Sequence, residues 1–192
     1  MSDDLTPESI PKPPEPQEQK AEDQAQPEFQ ISEQDAERAL EVFRQEQNLA
    51  VGSMAGLVAG VAGAAVWAGV TVVTEYQIGW LAVGLGFLVG IAMRTMGKGI
   101  DQVFGAVGAT LALFSCVLGN VFTIAWYISA QTGSSLLGVL TELDMELTID
   151  LITETFQVMD ILFYGLALYF GYKYSFRQLT VDDFNRALGK SL

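Results

Sequence analysis

Apolar and polar positions are separated into blocks along this chain. Between Glu46 and Glu75 lie 28 positions without a charge. About 20 apolar residues suffice to cross the hydrocarbon core of a bilayer as a helix. A first membrane span is therefore predicted over 49–73. Thr74-Glu75-Tyr76-Gln77 reads as a tight turn, and a second apolar run predicts a span over 78–94. Arg94 and Lys98 follow it, with Gly97 placed as a helix terminus and Asp101 as the N-cap of the next helix. The third span is predicted over 103–128, where Trp126 and Tyr127 mark the far end as an interfacial belt does. A fourth, over 155–172, carries Asp160, and its uninterrupted apolar part runs only from Ile161 to Tyr172.

Between the third and fourth runs the period changes. Leu136, Leu140, Leu143, Leu147 and Leu151 recur at three and four, with Glu142, Asp144, Glu146 and Asp150 on other faces. That pattern predicts one acidic amphipathic helix over 136–151, lying on the membrane surface or packed on the bundle. Ahead of the first span, 31–48 reads as a juxtamembrane helix. It is capped by Ser32 and Asp35, with a thin stripe at Ala36, Leu40, Phe43 and Gln47 that serves either a solvated helix or a partner. Residues 1–30 are rich in Pro, Glu and Gln and are expected to form a disordered acidic tail, because they bury too little to offset ordering. Its KPPEP run favours polyproline II. After the fourth span, 176–192 forms a C-terminal tail in which Thr180 and Asp183 cap a short helix bearing Val181, Phe184 and Leu188. The fold class is all-α: a polytopic membrane helical bundle of about four transmembrane helices, its first hairpin rich in glycine.

Composition sharpens this picture. Half the residues are hydrophobic, yet the net charge is −13. The charge is segregated: 13 of the 23 acidic residues fall in the first 47 positions, and all six prolines in the first 27. There is no histidine and a single cysteine, Cys116. Imidazole bases, an intrachain disulfide and cysteine-held zinc or iron–sulfur are thereby excluded, so no cofactor, no metal and no catalytic residue is expected. The acidic balance argues against nucleic acid as a partner. No basic n-region with an apolar core lies within the first 30 residues, so the first span is expected to act as an uncleaved insertion signal.

The ten Lys and Arg set the orientation. Lys12, Lys20, Arg38 and Arg44 precede span one, Arg94 and Lys98 separate spans two and three, and Lys173, Arg177, Arg186 and Lys190 follow span four. With four spans all ten fall on one side, which the positive-inside rule makes cytoplasmic, so both termini are expected there. Trp67, Trp80 and Trp126 then lie toward the outer leaflet.

The strongest motif is a small-residue stripe. Gly52, Gly56, Gly60, Ala64 and Ala68 recur at intervals of four, and Ala82, Gly86 and Gly90 repeat the spacing in the second span. Small residues let helix backbones approach in lipid, where little hydrophobic force drives helices together. Span one is expected to pack along span two or along its copy in another subunit. GLGFLVG lies inside a span with no preceding strand, so it is not a dinucleotide-binding loop. Asn120, one turn after Cys116, reads as an interhelical hydrogen bond or as part of a pathway. Asp160 has two open readings, an intramembrane functional carboxylate or a group in the headgroup zone. Arg94 and Lys98 read as a topological anchor or as a contact to anionic headgroups.

Some of these residues carry a likeness. Glu46-Gln47-Asn48, Trp67-Ala68 with Thr71, the run from Tyr76 through Trp80 to GFLVG, Arg94 with Gly97-Lys98-Gly99 and Asp101, and Cys116 with Gly119-Asn120 form a pattern over 46–120. It resembles a group of small, uncharacterised bacterial multi-pass membrane proteins. The resemblance implies a bacterial inner-membrane setting and supplies no activity. Members of the group often carry an N-terminal zinc ribbon, which this chain, without a Cys before Cys116, is not expected to share. The function expected is a non-enzymatic membrane scaffold or complex subunit assembling through small-residue faces, with the bilayer and a second membrane protein or copy as partners. The alternative is a small channel or transporter component with Asn120 and Asp160 on its path. No small-molecule substrate is indicated.

Overall fold

A computed structural model describes residues 32–189, apart from the side chains at positions 145 and 155. The expected disordered tail over 1–30 lies outside the described residues. One compact unit begins at Gln34 and holds every helix of the bundle.

The described residues are helical and contain no strand. Among them eight helices occur in order: α1 (Glu33–Glu46), α2 (Leu49–Thr74), α3 (Trp80–Gly97), α4 (Gln102–Thr132), α5 (Leu136–Glu142), α6 (Met145–Thr155), α7 (Val158–Tyr174) and α8 (Val181–Ala187). Of these, α2, α3 and α4 are long and apolar enough to cross a membrane. A fourth crossing is added if α6 and α7 are counted as one span bent by 110°.

Four helices form the bundle. α2 packs on α3 and α4, α7 packs on α3 and α4 from the other side, and α3 touches α4 across the middle. The sequence of contacts gives the directions. Gly52 lies against Gly97, Gly56 against Met93 and Gly60 against Val89, so α2 and α3 are antiparallel. Gly79 meets Phe163, Gly86 meets Ala167 and Gly90 meets Tyr174, so α7 runs beside α3 in the same direction. At 17 residues, α7 is about 26 Å long. α4, at 31 residues, is about 46 Å long. It outruns a ~30 Å hydrocarbon core, and α5 and α6 pack on it.

Several boundaries differ from the sequence expectation. The juxtamembrane helix does not run into the first span. Asn48 is extended and its side chain accepts from Val51 N–H at 3.0 Å, starting α2 afresh. The Asn48 N–H donates to the Gly97 carbonyl at 2.8 Å. The inward face of α1 is Ala39 and Phe43, while Leu40 is exposed. The single acidic helix over 136–151 is two helices. Asp144 turns extended and accepts from Leu147 N–H at 2.7 Å, so this carboxylate caps α6 and ends α5. The fourth run begins at 158 and not 155, because Phe156 and Gln157 are extended and Gln157 exchanges capping bonds with Asp160.

Gly97 is the last residue of α3, but the left-handed position belongs to Lys98 at φ 51°. Gly97 is glycine for another reason: a Cβ there would lie 2.8 Å from Gly52 Cα. Asp101 stands at the N-cap of α4 without capping it. Its carboxylate accepts from Gln47 Nε2 and pairs with Arg44 at 3.6 Å.

Candidate functional site

The small-residue stripe of α2 is consumed inside the bundle. Gly52, Gly56, Gly60, Ala64 and Ala68 are all buried. A side chain at Gly56 would press on Met93 of α3 and Leu111 of α4, and one at Gly60 would collide with the Ser115 hydroxyl. The stripe therefore fills the groove between α3 and α4. Ala82, Gly86 and Gly90 of α3 are buried too. Gly86 and Gly90 face α7 and not α2: a Cβ on Gly86 would lie 2.9 Å from Ala167 Cα, while Ala82 packs in the cluster that holds both Trp67 of α2 and Ala167 of α7. Each small face thus admits a neighbouring backbone of the same chain.

At the end of the bundle formed by the α2–α3 turn and the start of α7, polar side chains converge. Asp160, in the first turn of α7, is 6% exposed. Its Oδ2 accepts from the Gln157 N–H at 2.8 Å and its Oδ1 from Gln77 Nε2 at 3.4 Å. The same Gln77 amide donates to Asn120 Oδ1 at 3.4 Å, and Asn120 Nδ2 donates to the Tyr164 hydroxyl. Asn120 and Asp160, 40 positions apart, belong to one network. Gln77 and Tyr164 were not legible as members, since one sits in a turn and the other in an apolar run. Asp160 forms no ion pair among the described residues. Its position, in the opening turn of a helix and bonded to that helix's own N-cap, explains a buried carboxylate without a cation.

Below this network lies the apolar centre of Trp67, Ala82, Leu85, Cys116, Tyr164 and Ala167. Cys116 is fully buried as a packing residue. Trp67 Nε1 and Thr71 Oγ1, one turn apart on α2, are buried with no hydrogen-bond partner among the described residues.

The opposite end is basic and tightly paired. Arg177 Nη1 donates to Glu46 at 2.7 Å and Nη2 to Asp183 at 3.1 Å. Its guanidinium lies 5.0 Å from the Phe43 ring centre, and Phe43 meets Phe184 edge to face. Arg177 thus joins α1, 131 positions before it, to Asp183 of α8. The hydrogen bond from Arg177 holds the Glu46 carboxyl below its ordinary range. Asp183 is lowered first by the Thr180 N–H and hydroxyl and then by Arg177. Arg94 and Lys98 part company: Lys98 stands 3.8 Å from Glu46, whereas Arg94 makes no ion pair among the described residues.

These features define a class: an all-helical membrane protein whose packed centre is small and apolar and whose polar groups gather at the two ends. Comparison with protein families, with curated proteins and with solved structures finds no match.

Proposed function

We propose that this chain is a non-enzymatic integral membrane scaffold or complex subunit, resident in a bacterial inner membrane with both termini in the cytoplasm. The supporting observation is the lining of the bundle. Its helices meet through small and apolar residues, and the polar network stops at one end, whereas a conducting path needs an aligned polar face. Membership in the multi-pass group resembled over 46–120 is part of the same reading. The one-sided cations support the orientation, and the exposed carboxylates of α6 suit a helix on the outer surface.

Assembly with another chain uses a face that the bundle leaves open. Along α2 the outward side forms an apolar groove of about 620 Å³ that includes Ala55, Ala59 and Ala62. The test is native mass spectrometry of material purified in mild detergent. Ala59→Leu should shift the assembly mass while the melting temperature holds, and Gly60→Leu should lower the melting temperature. A wild-type monomer with nothing co-purified sinks the reading.

A second reading, a channel or transporter component, is favoured by the meeting of Asn120 and Asp160 through Gln77. It requires flux in proteoliposomes that Asp160→Asn abolishes.

A further inference from the structure

At the basic end, a recess of about 210 Å³ opens between α1, Lys98 and the segment from Arg177 into α8. Its charged walls are Lys98, Arg177 and Arg186 against Glu46 and Asp183, with Phe43 beneath. Three cations facing two carboxylates leave one positive charge over, in a chain whose net charge is −13.

The two carboxylates are already held. Arg177 donates to both, and Asp183 also accepts from the Thr180 N–H at 3.0 Å and its hydroxyl at 2.8 Å. Lys98 is different. It stands 3.8 Å from Glu46 and its side chain is 54% exposed, a geometry in which an ion pair adds little and exchanges readily. Arg186 makes no ion pair among the described residues. Lys98 and Arg186 are therefore the two cations of the recess with donors to give.

We propose that this recess binds a phosphate-type anion between Lys98 and Arg186, with Arg177 holding the wall. The volume equals about seven waters at ~30 Å³ each, room for a phosphate group with part of its hydration. A lipid headgroup and a soluble phosphate present the same chemistry. The recess adjoins the start of α2 and the end of α3, where a membrane crossed by these helices presents its headgroups. The local charges carry the proposal; only its lipid form rests on the membrane-subunit reading.

The test uses the full chain in neutral detergent. One arm offers equal phosphatidylglycerol and phosphatidylcholine and counts retained lipid by native mass spectrometry. The other titrates inorganic phosphate by calorimetry. Lys98→Gln and Arg186→Gln should each weaken the anion about five-fold, the factor expected per cation at an anionic surface. Arg94→Gln removes a cation that does not line the recess and should leave the phosphate titration unchanged. Both recess side chains reach solvent, so the variants keep the wild-type melting temperature. Preference for phosphatidylglycerol without phosphate saturation assigns a headgroup; phosphate saturation without lipid preference assigns a soluble phosphate. No lipid preference together with no phosphate heat overturns the proposal, as does an equal loss in Arg94→Gln.

Discussion

Gly52 and Gly97 meet backbone to backbone: a Cβ on Gly97 would stand 2.8 Å from Gly52 Cα and 3.2 Å from the Asn48 carbonyl. The contact lies beside the hydrogen bond from Asn48 N–H to the Gly97 carbonyl. It sets how closely α2 and α3 approach at the basic end. Overpacking costs about 1–3 kcal/mol, so Gly97→Ala should lower the melting temperature in detergent. Gly69, on the same helix as Gly52, has nothing within 4 Å of a Cβ. Gly69→Ala should be neutral or stabilising, since alanine gains up to about 1 kcal/mol in helix propensity. Equal effects from the two would show that the contact carries no weight.

Thr71 offers the opposite case. Its buried hydroxyl has no partner among the described residues, and an unsatisfied buried polar group costs about 1–3 kcal/mol. Thr71→Val keeps the shape and removes the hydroxyl. It should raise stability by about 1 kcal/mol, read as an upward shift of the melting curve. A downward shift means the hydroxyl is bonded in the native protein.

For Asp160 the capping role and a transport role separate by substitution. Asp160→Ala removes the acceptor for the Gln157 N–H and should cost about 0.5–2 kcal/mol, as lost caps do. Asp160→Asn keeps one acceptor for the Gln157 N–H, gives up the one that takes the Gln77 amide and removes the charge, so it should lower the melting temperature less than Asp160→Ala. Should Asp160→Asn also leave any measured flux intact, the carboxylate is structural only.

Acid should loosen the junction of α1 and α8. Glu46 and Asp183 titrate below their ordinary values of 4.5 and 3.8. A depressed folded value means the stabilisation is present above the unfolded value and is lost as pH falls through the folded one. The junction should therefore be intact at neutral pH and open progressively below about pH 4.5. Hydrogen exchange in α8 at pH 7 and pH 3, corrected for intrinsic rates, reads this directly. Glu46 is exposed and Asp183 only partly covered, so the effect is modest and weakens with salt. A Glu46→Gln, Asp183→Asn double variant should lose the pH dependence; retention of it would falsify the assignment.

Orientation is read with cysteine labels in a Cys116→Ser background. Ser2→Cys and Ser191→Cys should be protected from an impermeant maleimide in intact cells, and Ser134→Cys should react. Reaction at Ser191→Cys without lysis rules out four crossings with cytoplasmic termini.

The membrane class of this protein was legible in the chain because hydrocarbon selects on composition. Twenty or so uncharged residues in a row have few other places to go, and the runs over 49–73, 78–94 and 103–128 became α2, α3 and α4 with shifts of a few residues. The spacing of Gly52, Gly56 and Gly60 also marked a buried face, since period and side-chain size are local properties. Which neighbour fills that face is not local. Met93, Leu111 and Ser115 reach it from two other helices, and only tertiary packing pairs them. The breaks at Asn48, Asp144 and Gln157 follow the same division. Each lies where a short polar side chain captures a backbone N–H, a choice decided by the competing turn geometry and invisible to hydrophobic period. The joining of Asn120 to Asp160 through Gln77, and of Glu46 to Asp183 through Arg177, depends on chain segments brought together from 40 and 131 positions apart or more. Sequence spacing carries no record of such contacts, because the helices that deliver them are positioned by packing along their whole length.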